Sequence, residues 1–136
     1  MRPDEAALTY EVEAAFEAVM PTRSLGIAEA REWLEDLCRS EDLDTPFLES
    51  ARLPAATHAL TIPDEWCVLV ADVAPTQHTL LHELAHLKSA NRGHGREFRT
   101  ELVRLLRRYV SLDHAAELHR RFVSADLSVD PFSATR

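Results

Sequence analysis

A continuous apolar strand followed by an apolar helix, over residues 66–90, constrains the fold of this chain more than any other feature. The run Trp66–Ala71 is apolar at every position, which is typical of a strand in the interior of a sheet. Pro75 and Thr76 then favour a helix start, with Thr76 as the N-cap, and the helical pattern continues to about Ala90. The pattern predicts a buried strand that leads directly into a helix.

We predict the whole strand over Trp66–Val73, of which Trp66–Ala71 is the apolar part. Two shorter segments are the predicted strands that pair with it. Phe47–Leu53 and Thr57–Ile62 are short runs separated by prolines, and the second alternates in polarity as a half-exposed strand does. Pro54 and Pro63 fit strand ends, where proline removes no hydrogen-bond donor from the ladder. We predict a small sheet of about three strands.

Four more helices complete the predicted α+β fold. Two precede the sheet, from about Pro3 to Met20 and from Ala28 to Arg39, and two follow the 66–90 segment, one from near Gly95 and one from about Asp113 to Ala125. The sequence contains no repeats or long linkers, so we predict one domain over residues 1–136. It comprises a helical part (1–44), the sheet with three helices (45–127) and a flexible tail (128–136).

Charge and composition narrow the choice of partners. The net charge is −8, yet residues 88–110 hold seven basic and two acidic side chains. We interpret this stretch as a solvated helix face, with binding of an acidic substrate or of a guest nucleic acid as the alternatives. Nucleic acid is not expected as a direct partner of the protein by itself. No apolar run approaches the ~20 residues that span a bilayer. The acidic N-terminal segment is unlike a secretory signal, and Cys38 and Cys67 form no C-x-x-C motif, so we expect a cytoplasmic protein with reduced thiols.

The helix of the 66–90 segment carries the sequence His82-Glu83-Leu84-Ala85-His86. Two histidines four residues apart lie on the same helix face, where their imidazoles can bind one metal ion. Glu83 lies beside the first histidine and can take a proton from metal-bound water, whose pKa a zinc ion lowers to about 7. The flanking apolar residues leave little surface for a merely solvated histidine pair. We therefore predict His82 and His86 as zinc ligands and Glu83 as the catalytic base.

The third ligand has three candidates. His94 follows a short loop between Gly93 and Gly95, whose backbone freedom would allow a close approach to the ion, and it is the preferred candidate. Glu97 and Glu101, on the next helix, are the alternatives, and a carboxylate that does not bind metal could orient a ligand imidazole. Three imidazoles would favour zinc over other divalent ions.

Two further polar residues have both a functional and a structural interpretation. Tyr109 could donate a hydrogen bond to a developing oxyanion, although its helical spacing also fits a core tyrosine. His78 precedes His82 by four residues, so it could line the cleft or be a polar residue of the first helical turn.

Together, Leu80–His86 and His94-Gly95-Arg96-Glu97-Phe98 resemble the SprT-like and minimal-gluzincin group of zincin metallopeptidases. The likeness is closest to actinobacterial metallohydrolases with an HExxH helix and an HGxEF segment. It implies a zincin-like fold, zinc held by His82, His86 and His94, and a peptide or protein substrate extended along an edge strand, here Thr57–Ile62. The zinc ribbon that follows the catalytic part in many SprT-like proteins is absent from this sequence.

The expected function is therefore zinc-dependent hydrolysis, most plausibly of a peptide bond, with metal-bound water activated by Glu83. Two alternatives remain open at the level of sequence. One is a catalytically silent regulatory or binding protein with a zincin fold, and the other is a hydrolase of non-peptide amides or esters.

Overall fold

The order of helices and strands follows the predicted pattern. The computed structural model describes residues 4–89 and 93–132, and in this part of the chain there are five α-helices, one turn of 3-10 helix and a three-stranded mixed sheet. In chain order these are α1 (Glu5–Val19), α2 (Ile27–Ser40), β1 (Phe47–Ser50), β2 (Ala59–Ile62), the 3-10 turn (Pro63–Glu65), β3 (Cys67–Val70), α3 (Gln77–Lys88), α4 (Arg96–Tyr109) and α5 (Leu112–Ser124). The predicted α+β class is confirmed. The helix limits predicted at Pro3 and Ala90, and residues 133–136 of the tail, lie outside the described residues.

The chain divides into two compact units. The central unit consists of residues 23–87 and holds α2, the sheet and all but the last residue of α3. The terminal unit consists of residues 1–22 and 88–136 and holds α1, α4 and α5.

The sheet of the central unit has the order β1-β3-β2, so the continuous apolar run forms the middle strand, as predicted. β1 pairs with β3 in parallel and β2 pairs with β3 in the antiparallel sense. Removal of apolar surface from water is the main driving force for this packing. The core cluster draws on α2, the sheet and α3 and comprises Leu25, Ala30, Leu34, Leu48, Val68, Val70 and Leu80.

β3 begins one residue later than its apolar run because the backbone reverses at Trp66. This residue has φ 51° and ψ 53°, in the left-handed region, and its N–H closes the 3-10 turn by donating to the Pro63 carbonyl at 3.1 Å. The left-handed conformation interrupts the regular extended backbone, so the strand itself begins at Cys67. The Trp66 indole instead donates to the Asp44 carbonyl at 2.7 Å.

The start of α3 is fixed by two local devices. The Thr76 hydroxyl accepts a hydrogen bond from the Thr79 N–H at 3.1 Å, which confirms the predicted N-cap. The segment before α2 also pairs with this helix start, since Leu25 N–H donates to the Pro75 carbonyl and Gln77 N–H donates to the Arg23 carbonyl, both at 2.9 Å. The first turn of α3 is therefore held by main-chain bonds within the central unit.

The two outer strands of the sheet differ in how their free sides are covered. On the β1 side, the Arg31 Nε–H donates to the Leu48 carbonyl at 3.0 Å, and the same guanidinium pairs with Glu49. On the β2 side, the His58 carbonyl accepts a hydrogen bond from the Ala71 N–H, just beyond the end of β3. In an antiparallel pair every second residue bonds to the partner strand, so Leu60 and Ile62 also face β3. The main-chain groups of Ala59 and Thr61 therefore face away from β3.

In the terminal unit, α5 packs with both α4 and α1. Ser111 caps α5 by accepting from the His114 N–H at 3.0 Å. Hydrogen bonds from Arg120 and Arg121 lower the pKa of Glu117 on this helix. The described part of the predicted flexible tail makes contacts in this unit, since the Asp130 N–H donates to the Thr100 hydroxyl at 3.0 Å. No helix among the described residues has the length and apolar character needed to cross a bilayer.

Candidate metal centre

The middle of α3 is buried although it is rich in polar groups. His82 and Glu83 are each only 6 % exposed, and His78 is also buried. Burial of charged or hydrogen-bonding side chains costs free energy unless they have partners. A buried, histidine-rich helix in the central unit is therefore a candidate for a specific polar function.

His82 and His86 form a close pair on one face of α3. Their ring centroids lie 5.0 Å apart with an interplanar angle of 68°, and a ring nitrogen of one lies within 4.8 Å of a ring nitrogen of the other. In a tetrahedral zinc site, Zn–N bonds of about 2.0–2.1 Å place two ligand nitrogens roughly 3.4 Å apart. Two ring nitrogens within 4.8 Å of each other are close enough for the pair to be candidate ligands of one ion.

Glu83 is oriented by a neighbouring strand as well as by its own helix. The hydroxyl of Thr61 in β2 donates to the Glu83 carboxylate Oε1 at 2.7 Å and also lies 3.3 Å from the Glu83 main-chain carbonyl. The second carboxylate oxygen, Oε2, lies 3.9 Å from His82 Nε2. The carboxylate is thus positioned beside the histidine pair by a short hydrogen bond to a charged acceptor.

Thr61 is a site residue that the sequence analysis did not assign. The alternation of Thr57–Ile62 separates Thr61 and Ala59 from Leu60, which is 46 % exposed. A hydroxyl on the less exposed face of an apolar strand, in a chain whose next helix carries a buried glutamate, is the signal that could have identified it.

His78 lies one helical turn before His82 and is also close to it. A ring nitrogen of His78 lies within 4.8 Å of a ring nitrogen of His82, so α3 contains two overlapping histidine pairs with His82 in common. The structure therefore supports a metal-binding function for this helix.

His94 lies in the terminal unit, directly before α4. Its ring contacts Tyr10 of α1 and Phe98 of α4, with centroid distances of 4.6 and 5.0 Å. The tyrosine that contacts this candidate ligand is therefore Tyr10 in α1, a residue that was not predicted for the site. Aromatic contacts on two sides restrict the positions that the imidazole can adopt.

The main chain at His94 is held by a buried arginine. Arg99 is fully buried, and its Nη1 donates to the His94 carbonyl. The same guanidinium donates to Glu5 Oε1 at 2.7 Å, to the Ser128 carbonyl at 2.8 Å and to the Thr9 hydroxyl at 3.2 Å. The prediction that the basic stretch is a solvated face is therefore wrong for Arg99, which is buried and donates hydrogen bonds to several acceptors.

The other residues predicted for the site also lie in the terminal unit. Glu101 accepts two hydrogen bonds from Arg104, at 2.6 and 3.0 Å, and Glu97 is exposed. Tyr109 is the last residue of α4, about 20 Å along the helix axis from its first residue at the His94 end. That separation argues against Tyr109 acting next to a metal ion bound by His94.

Gly95 does not need the conformational freedom that the sequence analysis ascribed to it. Its φ of −86° and ψ of −165° describe extended backbone, and an added Cβ would meet no atom within 4 Å. The position of His94 is better explained by Arg99 and the aromatic contacts than by its glycine neighbours.

The donor set of α3 fits a zinc ion. Neutral imidazole nitrogens are ligands that zinc accepts readily, and a buried carboxylate beside them can accept a proton from water. Neither cysteine competes for this function on the described geometry. Cys38 is buried, and burial together with Glu65 and Glu49 raises the pKa of the Cys67 thiol, which disfavours the thiolate that metals bind.

Comparisons with protein-family models, with curated proteins and with solved structures find no match for this chain. The fold and α3 therefore define it as an α+β protein with a buried histidine-rich helix capable of binding a metal ion. A more specific function has to be argued from the chemistry of these residues.

Proposed function

We propose that this protein is a zinc-dependent hydrolase of the zincin type, with peptide bonds as its substrate. The observation that carries the proposal is the combination on one helix of two imidazoles with nitrogens within 4.8 Å and a buried glutamate fixed by Thr61. His82 and His86 would hold the ion, with His94 as the third protein ligand. Glu83 is the catalytic base.

Each residue has a defined task in this reaction. Zinc, when bound, supplies a Lewis acid that makes water nucleophilic near neutral pH. Glu83 accepts the proton of the attacking water and then delivers it to the leaving amine, as a general base and acid. Thr61 holds one carboxylate oxygen by its 2.7 Å hydrogen bond, so the other oxygen is directed for proton transfer.

The open side of β2 is the proposed binding surface for an extended peptide. The main-chain groups of Ala59 and Thr61 face away from β3 and can pair with an added strand. On the opposite side of the sheet, Arg31 already occupies the outward Leu48 carbonyl of β1. Thr61 would then bind substrate through its main chain and orient Glu83 through its side chain.

The first test is metal content together with metal-dependent cleavage. Purified protein is expected to contain about one zinc ion per chain, as a single three-ligand site requires. Chelation should abolish cleavage of a mixed fluorogenic peptide library, and addition of stoichiometric zinc should restore it. Elemental analysis and initial rates measure both quantities. A folded protein that neither retains nor takes up zinc at neutral pH would contradict the proposal.

Replacement of Thr61 by valine tests the orientation of Glu83. The variant keeps the shape of the side chain but removes a hydrogen bond to a charged acceptor, a contribution of about 1.5–3 kcal/mol. We expect kcat to fall by roughly tenfold to a hundredfold, with KM and zinc affinity close to those of the wild type.

Thr45→Val, at an exposed position before β1, is the matched control and should leave kcat unchanged. Equal kcat values for Thr61→Val and the wild type would show that the hydroxyl is not needed to position the carboxylate.

A further inference from the structure

Arg99 is a basic residue that the proposed reaction does not use, yet it is the largest of the fully buried side chains. Burial of a guanidinium is costly and is seen where its donors are satisfied by fixed acceptors. Here those acceptors come from three separate parts of the terminal unit: α1, the segment before α4, and the segment after α5.

Arg99 contacts the main chain of His94 and not its ring. The contact therefore fixes the backbone that carries the imidazole. Arg99 donates to the His94 carbonyl, and the Thr9 hydroxyl lies 3.4 Å from the same oxygen. Glu5 and Ser128 in turn fix the guanidinium, at 2.7 and 2.8 Å. A planar guanidinium with several fixed partners defines one orientation, which a flexible ammonium cannot reproduce.

We infer that Arg99 is a positioning residue for metal binding: it fixes the backbone of His94 so that this imidazole is preorganised as the third zinc ligand. The inference rests on the proposed function, in which His94 binds zinc. It extends that function, because the third ligand would be held in place by the hydrogen bonds that connect Arg99 with Glu5 of α1 and with Ser128. A ligand that is already ordered loses less conformational entropy when the ion binds.

The test is a double-mutant cycle between Arg99 and His94 with zinc affinity as the readout. Arg99→Lys keeps the charge but cannot bond to the His94 carbonyl, Glu5 and Ser128 at once, and we expect zinc affinity to fall by about 10- to 100-fold. In the His94→Ala background the same substitution should cause no further loss, since its effect passes through the ligand that is already absent. Competition with a chromophoric chelator measures the affinities.

Arg96→Lys is the matched control. Arg96 lies on the same helix as Arg99 but makes only an exposed ion pair with Asp130, so its replacement should not change zinc affinity. Thr9→Val provides a second, milder variant in case Arg99→Lys is poorly folded, and we expect it to weaken zinc binding by severalfold. The Co²⁺-substituted protein adds a spectroscopic readout, in which the d–d bands of Arg99→Lys should shift towards those of His94→Ala.

The outcomes distinguish a failure of this inference from a failure of the proposed ligand set. If zinc binding requires His82 and His94 but is unchanged in folded Arg99→Lys, the positioning function of Arg99 is wrong and the metal site stands. If Arg99→Lys weakens zinc binding equally with and without His94, the arginine acts on general stability, and the inference is again overturned. If His94→Ala binds zinc as tightly as the wild type, the proposed ligand set fails and the inference fails with it.

Discussion

Glu83→Gln is expected to lower the rate of peptide cleavage by about 10²- to 10⁴-fold, the usual contribution of a positioned general acid–base. Glutamine has nearly the same shape and can keep the contact with Thr61, but it cannot accept the proton of an attacking water. The histidine ligands are unchanged, so zinc content should stay near the wild-type value. Single-turnover rates with a saturating fluorogenic peptide and elemental analysis of the same sample provide the measurement.

Glu32→Gln is a suitable control, because it makes the same chemical change on the exposed side of α2 and should leave the cleavage rate unaltered. Cleavage by Glu83→Gln at the wild-type rate would remove Glu83 from the mechanism. Unchanged biological activity in a variant without hydrolysis would instead favour the alternative of a zincin-fold binding protein.

Local sequence signals predicted the secondary structure well because each has a direct physical cause. The apolar run 66–71 marked the middle strand, in which Val68 and Val70 are buried and Cys67 and Leu69 are half-buried. Thr76 was identified as an N-cap from its position before an apolar helical pattern, and its hydroxyl accepts the expected bond. The pairing partners and the three-stranded sheet followed from proline-bounded segments of strand length.

The strand limits were less accurate because they depend on backbone conformations that residue type does not signal. Trp66 is a strand former by propensity, but it adopts a left-handed conformation that closes the 3-10 turn. The predicted strands Phe47–Leu53 and Trp66–Val73 end earlier, at Ser50 and Val70. The residues that were predicted as strand after Ser50 and after Val70 lie beyond the four positions at which β1 and β3 are paired.

The buried polar residues show the limit of reasoning from residue type and charge. Arg99 was counted as part of a solvated basic face, yet it lies beside the buried positions Val103 and Leu106 at helical spacing, so it belongs to the buried face of α4. Glu13 on α1 is a second charged residue that is buried. Partners distant in sequence make such burial possible, and spacing within one helix does not identify them.

The second large expected effect concerns the choice between the two histidine pairs of α3. His82 belongs to both pairs, so His82→Ala should weaken zinc binding whichever pair is used. Structural zinc sites with four ligands have apparent binding free energies of about 10–16 kcal/mol, which corresponds to roughly 3 kcal/mol, or a hundredfold in affinity, for each ligand. His86→Ala should cause a loss of this size if His82 and His86 bind the ion.

His78→Ala is the discriminating comparison, because His78 is also close to His82 but is not part of the proposed ligand set. We expect it to change zinc affinity by less than about tenfold, the lower end of effects seen for residues that only orient a ligand. Competition titrations of the three alanine variants at one pH, with circular dichroism to establish folding, give the comparison. A hundredfold loss in His78→Ala with little change in His86→Ala would move the ion to the other pair. Such a result would contradict the proposed ligand set, in which His86 and not His78 binds the ion together with His82.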